Sequence, residues 1–567
     1  MIILGISCYY HDSAACLIKD GKIVAAAAQE RFSRIKHDNS FPKLAIDFCL
    51  KKLGIAANEI DYVAFYEKPL VKFERILSQH LQHFPKSRKQ FIKHISPWFD
   101  ERLNLKKVLI DEIDYHGSIR YLAHHTSHAA SSYYLSGFKE ASIVTIDGVG
   151  EWTTTSVAHG KNKKITISKE IHFPDSLGLL YSTITTYLGF SANNAEYKVM
   201  GLAAYGNADK FRKQFDSLVE VFPDGSYQLN MEYFDFAWKN RMPSSKMEAL
   251  FGHPVRKKES KIYKYHQDIA AALQEKLEEV VFNLLNQVYK EQQCPNLCLA
   301  GGVALNSVLN GKILSHTPFE KLFIAPDPSD AGGAMGAALA LSENLGIKTK
   351  NKEGNFSPYL GPSYPWYKIE KIIKKNQLNY ELLSSDQDLC NKVSDLIINK
   401  KVIGWFQGAM EWGPRALGNR SILASATTEE MRDIINAKVK KREMFRPFAP
   451  VILEEKTSDY FICDKELSPS VKWMLTVYPF KKKMAKKVPA VVHVDGSGRL
   501  ETLSREDNPL YYDLLKSYDQ KTGIPIIINT SFNVRGEPIV CNPQDAINCF
   551  LQTDIDYLVI DHYLIKK

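Results

Sequence analysis

His124 and His128 stand four residues apart in the stretch HHTSHAASSYY, a spacing that puts both imidazoles on one face of a helix. The apolar run 142–146 that follows reads as a buried strand, and Asp147 delivers a carboxylate at its C-terminal end. Two imidazoles and a carboxylate are half a site for a divalent metal of intermediate softness. Asp330 begins a helix of small residues. It is either a plain N-cap or the ligand, to a metal or a bridging phosphate, that completes the set. A helical His-x-x-x-His alone is unspecific; the strand-end Asp147 and Asp330 tip the reading toward metal chemistry.

A second group of residues is cationic. The loop 408–421 carries Arg415 and Arg420 among glycines and ends at Ser421; the stretch 436–450 adds Lys438, Lys440, Lys441, Arg442 and Arg446. HVDGSGR contributes Arg499, and NTSFN, after a strand at 524–528, contributes Ser531 and Asn533. Guanidinium groups on glycine-rich loops suit a planar or tetrahedral oxyanion, because arginine donates in pairs and glycine lets backbone N–H groups close in. Structural ion pairs explain any one arginine, but not so readily several such clusters together. Elsewhere, Gly301, Gly302 and Asn306 follow an apolar strand at 296–300. There the glycines permit either a ligand to approach the backbone at a helix start or a turn used only for packing. Lys198, in AEYKVMGLA, faces a phosphate or a surface carboxylate.

The elements that must position these groups show an internal repeat. A strand at 2–7 runs into a polar loop containing His11; strands 15–18 and 22–28 follow, joined by the Asp20-Gly21 turn. From 142 the same order of strand, polar loop, strand, glycine turn and strand recurs. Actin, the chaperone ATPases and the sugar kinases are built on such a duplication, with ligands in the cleft between copies, and the first region is expected to be similar to them. Between the copies, 41–53 reads as a helix, and 71–110 as a basic helical insert, a surface subdomain. A long amphipathic helix at 268–292, a strand at 321–325 and the small-residue helix at 334–341 follow. Apolar periodicity is lost across 343–374. The expected fold class is therefore mixed α/β, with domains at 1–345 and 375–567 and a linker at 346–374.

At 567 residues the chain exceeds one core. Its 45% hydrophobic and 24% charged residues are those of an ordinary globular protein. The net charge of +9 is concentrated in basic runs such as 481–487 and 256–264, which are solvated faces or the footprint of an anionic partner. Nine scattered cysteines without a Cys-x-x-Cys pair point to reduced thiols. The start has no basic leader, and the longest small-apolar run, 331–341, is too short to span a membrane. A cytoplasmic protein with no membrane partner is expected.

In order along the chain stand ILGISCYYHDSAACL, QERFSRIKHD, HHTSHAASSYY, IDGVGEW, EYKVMGLAAYG, LAGGVALN, PSDAGGAMGAA, GPRALGNRSIL, KKREMFRPFAP, HVDGSGR and NTSFNVRGEPIV. With these motifs the chain resembles the O-carbamoyltransferases of antibiotic, toxin and nodulation-factor biosynthesis, the NodU and CmcH type. The resemblance implies an N-terminal domain similar to the TsaD proteins and a C-terminal domain similar to the YrdC proteins. It further implies that carbamoyl phosphate and ATP give a carbamoyl-adenylate in the second domain, whose carbamoyl group passes to an alcohol in the first. On this resemblance His124, His128, Asp147 and Asp330 hold the metal, usually iron(II), with Mg2+ or Mn2+ as alternatives. Gly301, Gly302, Asn306 and Lys198 hold the nucleotide in the first domain. Arg415, Lys440, Arg446 and Arg499, with Ser421, Ser531 and Asn533, hold carbamoyl phosphate and the adenylate. His11 assists the acceptor hydroxyl as a neutral base, and the insert with 235–265 lines the acceptor pocket.

Glu501 stands where the family pattern has Gln, and 425–427 departs from an acidic, Pro-containing turn. The expected partners are carbamoyl phosphate and a small hydroxyl-bearing acceptor; a homodimer is left open and nucleic acid is disfavoured. Two other readings stand beside this one, a tRNA threonylcarbamoyl-adenosine-type transferase and a sugar-kinase-like ATPase.

Overall fold

The computed structural model describes residues 1–567 apart from 238, 240, 350–355, 444 and 464–466, and apart from the side chains of 94, 96, 97, 100 and 438. Part of the expected linker and acceptor-pocket segment, and the Lys438 side chain, thus lie outside the described residues. In the first half of the chain the repeated pattern folds into two sheets of one topology. Strands β1 (Ile2–Ser7), β2 (Ala14–Lys19) and β3 (Lys22–Ala28) form an antiparallel meander. β4 (Tyr62–Phe65) and β5 (Ser118–Tyr121) extend it from β1 in parallel, giving the order β3-β2-β1-β4-β5.

The second copy is β6 (Glu140–Ile146), β7 (Thr153–Lys161) and β8 (Lys164–His172). A small ribbon of β9 (Val219–Val221) and β10 (Tyr227–Leu229) follows. Then β11 (Asn296–Ala300) and β12 (Lys321–Ile324) add to β6 in parallel, so β8-β7-β6-β11-β12 repeats the first sheet strand for strand. This is the duplicated actin- and sugar-kinase-like architecture.

The helix Asp330–Asn344 is buried almost throughout and packs on β1, β2 and the helix His124–Ser136. Its small residues are the reason. A Cβ at Gly336 would lie 1.8 Å from the Ser127 carbonyl oxygen, so only glycine allows the two helix backbones to come so close. That approach sets Asp330, in the first turn of one helix, beside the first turn of the other.

The second unit is a nine-stranded mixed sheet. In chain order its strands are β13 (Tyr380–Leu382), β14 (Ile403–Phe406), β15 (Arg420–Ser425), β16 (Ala449–Leu453), β17 (Thr476–Pro479), β18 (Ser497–Leu503), β19 (Ile526–Ser531), β20 (Tyr557–Ile560) and β21 (Tyr563–Lys566). They are ordered β13-β21-β20-β14-β15-β19-β16-β18-β17. Alternate side chains feed two cores: Ile422 and Ala424 of β15 join one, and Leu423 the other.

The division into units differs from the continuous one expected above. Glu30–Asp38 clusters with Ser357–Lys567, and the rest of the chain up to Phe356 forms the first unit. The cause is a set of polar anchors. Arg31 donates to the Gly413 carbonyl at 2.9 Å, and Arg34 to the carbonyls of Ile539 and Pro538 at 2.6 and 2.9 Å. The expected linker also holds a helix, Trp366–Lys375, whose Ile369 and Ile373 are buried in the second unit. All nine cysteines are free, and no helix among the described residues is long and apolar enough to cross a membrane.

Candidate active site

His124, His128, Asp147 and Asp330 converge, each buried, with their ligand atoms within 4.8 Å of one another. Nε2 of His124 lies 3.1 Å from Asp147 Oδ2, 3.4 Å from Asp330 Oδ1 and 3.0 Å from His128 Nε2. His128 Nε2 lies 3.8 and 3.4 Å from the same two oxygens. A metal about 2.1 Å from four tetrahedral ligands separates them by about 3.4 Å, so the spacing fits one shared ion. Two nitrogens and two carboxylate oxygens suit a divalent first-row metal without selecting one. The electrostatics agree. Burial disfavours charge on both histidines, yet Asp330 and Asp147 hold His124 well above, and His128 above, the usual imidazole value. Burial also opposes ionisation of the carboxyls, and the imidazoles hold Asp147 well below and Asp330 below the usual carboxylate value.

Three features aim these ligands. Ser329 is the N-cap of the small-residue helix, so Asp330 is free of capping and turns to the histidines. The Gly302 N–H donates to Asp147 Oδ1 at 2.9 Å, leaving Oδ2 for the cluster. Glu151 accepts from the His124 N–H at 3.0 and 3.1 Å and from the Lys68 N–H at 2.8 Å, placing a buried carboxylate at the start of the histidine helix. The sequence carried Glu151 within IDGVGEW, but its partners lie up to 83 residues away, and nothing local reveals its role.

The other first-unit candidates have contacts of their own. Gly301 has φ +91°, and a Cβ there would lie 2.3 Å from the Ile146 carbonyl oxygen, so it serves the turn under the cluster. Asn306 caps the helix Ser307–His316 by accepting from the Leu309 N–H, and exchanges hydrogen bonds of 2.9 and 3.2 Å with Gln274. Lys198 sits 5.5 Å over the Phe190 ring. His11 Nδ1 is 2.6 Å from Asp12 Oδ2, and Nε2 contacts the Asn193 carbonyl. Burial works against its charge, but the Asp12 hydrogen bond prevails and pushes the pKa up to about 10. At neutral pH His11 is an imidazolium, not the neutral base expected from the sequence.

In the second unit Lys440, Ser531 and Asn533 form one knot. Lys440 Nζ donates to the Ser531 carbonyl, to Ser531 Oγ at 3.2 Å, and to the carbonyl and Oδ1 of Asn533 at 3.1 and 2.9 Å. Burial first, then Arg442 and Arg446, depress the Lys440 pKa well below the usual ammonium value. Burial lowers Arg499 as well, with Arg415, Arg442 and Arg446 crowding it. Among the described residues Arg499 makes no ion pair, whereas Arg446 lies 3.7 Å from Glu443.

Arg420 is structural. It is fully buried and donates to the carbonyls of Gln407, Asn419, Pro362 and Gly408. Ser421 accepts from the Gly418 N–H at 3.0 Å through its Oγ and stands opposite Ser531 in the β15–β19 pairing, beside the Lys440 knot. Glu501 is buried and accepts from Asn529 Nδ2 at 2.7 Å; burial raises its carboxyl well above the usual range. Burial thus favours its protonated form, which matches in shape the amide of the family pattern.

The Carbamoyltransferase N-terminus model matches residues 2–339 and the Carbamoyltransferase C-terminus model residues 394–567. An uncharacterized protein of Synechocystis sp. is 44% identical over 100% of this chain and 96% of its own length. Nodulation protein NolNO of Sinorhizobium fredii is 38% identical over 99% of this chain and 79% of its own. Nodulation protein NolO of Bradyrhizobium diazoefficiens is 39% identical over 78% of each. Among solved structures, component A of the (R)-2-hydroxyglutaryl-CoA dehydratase of Acidaminococcus fermentans aligns with 60% of this chain and 96% of its own at 15% identity and a TM-score of 0.32. A ROK hexokinase from Thermus thermophilus aligns with 60% of this chain and 98% of its own at 13% identity and a TM-score of 0.29. The matched models together span both units, and the chain belongs to the carbamoyltransferase family of enzymes.

Proposed function

We propose that the chain is an ATP-dependent O-carbamoyltransferase that makes carbamoyl-adenylate from carbamoyl phosphate and ATP in its second unit and transfers the carbamoyl group to an alcohol in its first. The observation that carries this reading is the crowding of Arg415, Arg442 and Arg446 around Arg499, which has no carboxylate partner of its own. Cations that repel one another in a buried site are stabilised by a polyanion between them. Carbamoyl phosphate and the ATP phosphates are such anions. Loss of phosphate from carbamoyl phosphate, with uptake of water, gives carbamate; its oxygen attacks the α-phosphorus of ATP and pyrophosphate leaves. Burial and the neighbouring Arg442 and Arg446 work against the Lys440 charge, and an entering anion favours it.

In the first unit a bound divalent ion would supply Lewis-acid polarisation of the carbamoyl carbonyl or hold the adenylate phosphate. His124, His128, Asp147 and Asp330 would hold it. Gly302 and Glu151 keep the Asp147 carboxylate and the histidine helix in register for that task. His11, held as an imidazolium between Asp12 and the Asn193 carbonyl, contributes a fixed positive charge to the electrostatics of this unit. The acceptor is a hydroxyl group of a small natural product.

The test is incubation of the purified protein with ATP and carbon-labelled carbamoyl phosphate. Pyrophosphate and labelled carbamoyl-AMP are expected. Threonine and bicarbonate replacing carbamoyl phosphate as the required substrates would favour the tRNA-type transferase instead, and ADP as the product would favour a kinase.

A further inference from the structure

The helical insert between the two copies reads as a surface element, yet its first helix, Pro69–Gln82, buries Lys72 and Arg75 at 3% and 6% exposure. The charges around them are unequally matched. Lys72 Nζ lies 2.5 Å from Glu67 Oε2 and 4.4 Å over the Tyr10 ring. Glu151, the other nearby carboxylate, is taken by the His124 and Lys68 N–H groups. Arg75 is left over. Among the described residues its guanidinium has one hydrogen-bond acceptor, Gln79 Oε1 at 2.6 Å; it makes no ion pair, and its buried Nε has no partner. A guanidinium offers five N–H donors and stays charged in proteins, so burying one with so few acceptors is unfavourable unless an anion arrives.

Tyr10 links Arg75 to the four-ligand cluster. Tyr10 lies within electrostatic reach of Arg75 on one side and of Asp147 and Asp330 on the other. Its hydroxyl comes within 3.9 Å of where a Cβ on Gly148, the residue after Asp147, would stand. The guanidinium carbon lies 5.2 Å over the Phe173 ring. We propose that Arg75, with Lys72 one turn before it, forms an oxyanion-binding site beside the four-ligand cluster, taking a phosphate or carboxylate group of a molecule held there. Resting on the carbamoyl-transfer reading, that group has two sources: the phosphate of the nucleotide, or an acidic group on the alcohol acceptor. Either is bound by the guanidinium N–H groups that lack a protein acceptor, the buried Nε among them.

The experiment uses the full chain carrying Arg415→Ala and Arg499→Ala, which weaken anion binding in the second unit, and calorimetric titration in which each Arg75 variant is compared with that background. The probes are AMP against adenosine, and glycerate against glycerol. At least one oxyanion is expected to bind tenfold or more tightly than its neutral counterpart. Adding Arg75→Gln should remove that preference and leave the neutral ligand unchanged, while Arg75→Lys retains part of it. Loss confined to AMP assigns the site to the nucleotide phosphate, and loss confined to glycerate assigns it to an acidic acceptor. Equal binding of each oxyanion and its neutral partner before the Arg75 change, or an unchanged preference after it, overturns the proposal. If Arg75→Gln does not fold, Lys72→Met is read in the same way. Pyrophosphate release by the unaltered protein is scored separately, so failure of the carbamoyl-transfer reading shows there and not in the Arg75 titrations.

Discussion

The backbone N–H of Gly302 holds one oxygen of Asp147 at 2.9 Å while the other oxygen faces His124 at 3.1 Å. A glycine that the sequence suggested for a nucleotide thus orients the carboxylate of a candidate metal ligand. A Cβ at Gly302 would stand 2.9 Å from that first oxygen, tighter than carbon and oxygen normally approach. Gly302→Ala is expected to weaken divalent-metal affinity by about 10- to 100-fold, the usual cost of disturbing a group that orients a ligand. Metal content and titration of the chelated protein check this, with circular dichroism as the fold control. Undiminished affinity would remove Gly302 from the metal site.

Glu151→Gln addresses the other support of the cluster. The amide keeps one acceptor for the His124 N–H but loses the charge that complements the helix start. Metal affinity should fall by less than in Glu151→Ala, where both the acceptor and the charge are gone. Equal affinities in the two variants and the unaltered protein would contradict the role.

His11 should not titrate near neutrality. Its pKa of about 10 rests on Asp12. The raised value means that the His11–Asp12 pair stabilises the fold fully below the unfolded histidine value, about 6.5, and that this contribution is lost as pH rises through about 10. In Asp12→Asn the imidazole should titrate lower, toward the unperturbed value. Imidazole proton shifts followed by NMR between pH 6 and 11 decide the matter; a His11 midpoint near 6.5 in the unaltered protein contradicts it.

Glu501 predicts the opposite trend from a carboxylate that is paired. Its folded pKa lies well above the unfolded value because it is buried. The native state therefore keeps a proton that the unfolded chain releases above about pH 4.3, and the group's stabilisation is lost as pH rises from there toward its folded pKa. Glu501→Gln has no proton to lose. Relative to the unaltered protein it should gain up to about tenfold in folding equilibrium constant per pH unit above that point. Urea unfolding at pH 5 and pH 8 measures the difference, and parallel pH profiles would contradict it.

The four-ligand cluster was legible in the sequence because helix spacing and strand ends are local signals. His124 and His128 are paired by periodicity, and Asp147 and Asp330 each sit where a strand or helix changes direction. The duplication was legible in its first three strands, which hairpin turns mark. β4 and β5 were missed: they are short, and parallel pairing to β1 crosses more than fifty residues of chain with no turn to announce it. Residues whose role depends on distant backbone were not readable. Glu151 works through N–H groups at 68 and 124, Arg31 and Arg34 through carbonyls in the second unit, and Asn306 through Leu309 and Gln274. The basic helix Pro69–Gln82 looked solvated because charge is ordinarily exposed; its buried Lys72 and Arg75 break that rule.

Separating the two half-reactions tests the central claim most directly. Labelled carbamoyl-AMP formed from ATP and carbamoyl phosphate is quantified in Arg415→Ala and in His128→Ala, side by side with the unaltered protein, together with bound metal. Arg415→Ala should form none while keeping its metal, and His128→Ala should lose its metal while forming carbamoyl-AMP at an undiminished rate. Carbamoyl-AMP formed normally by Arg415→Ala, or lost together with the metal in His128→Ala, would contradict the division of labour between the two units.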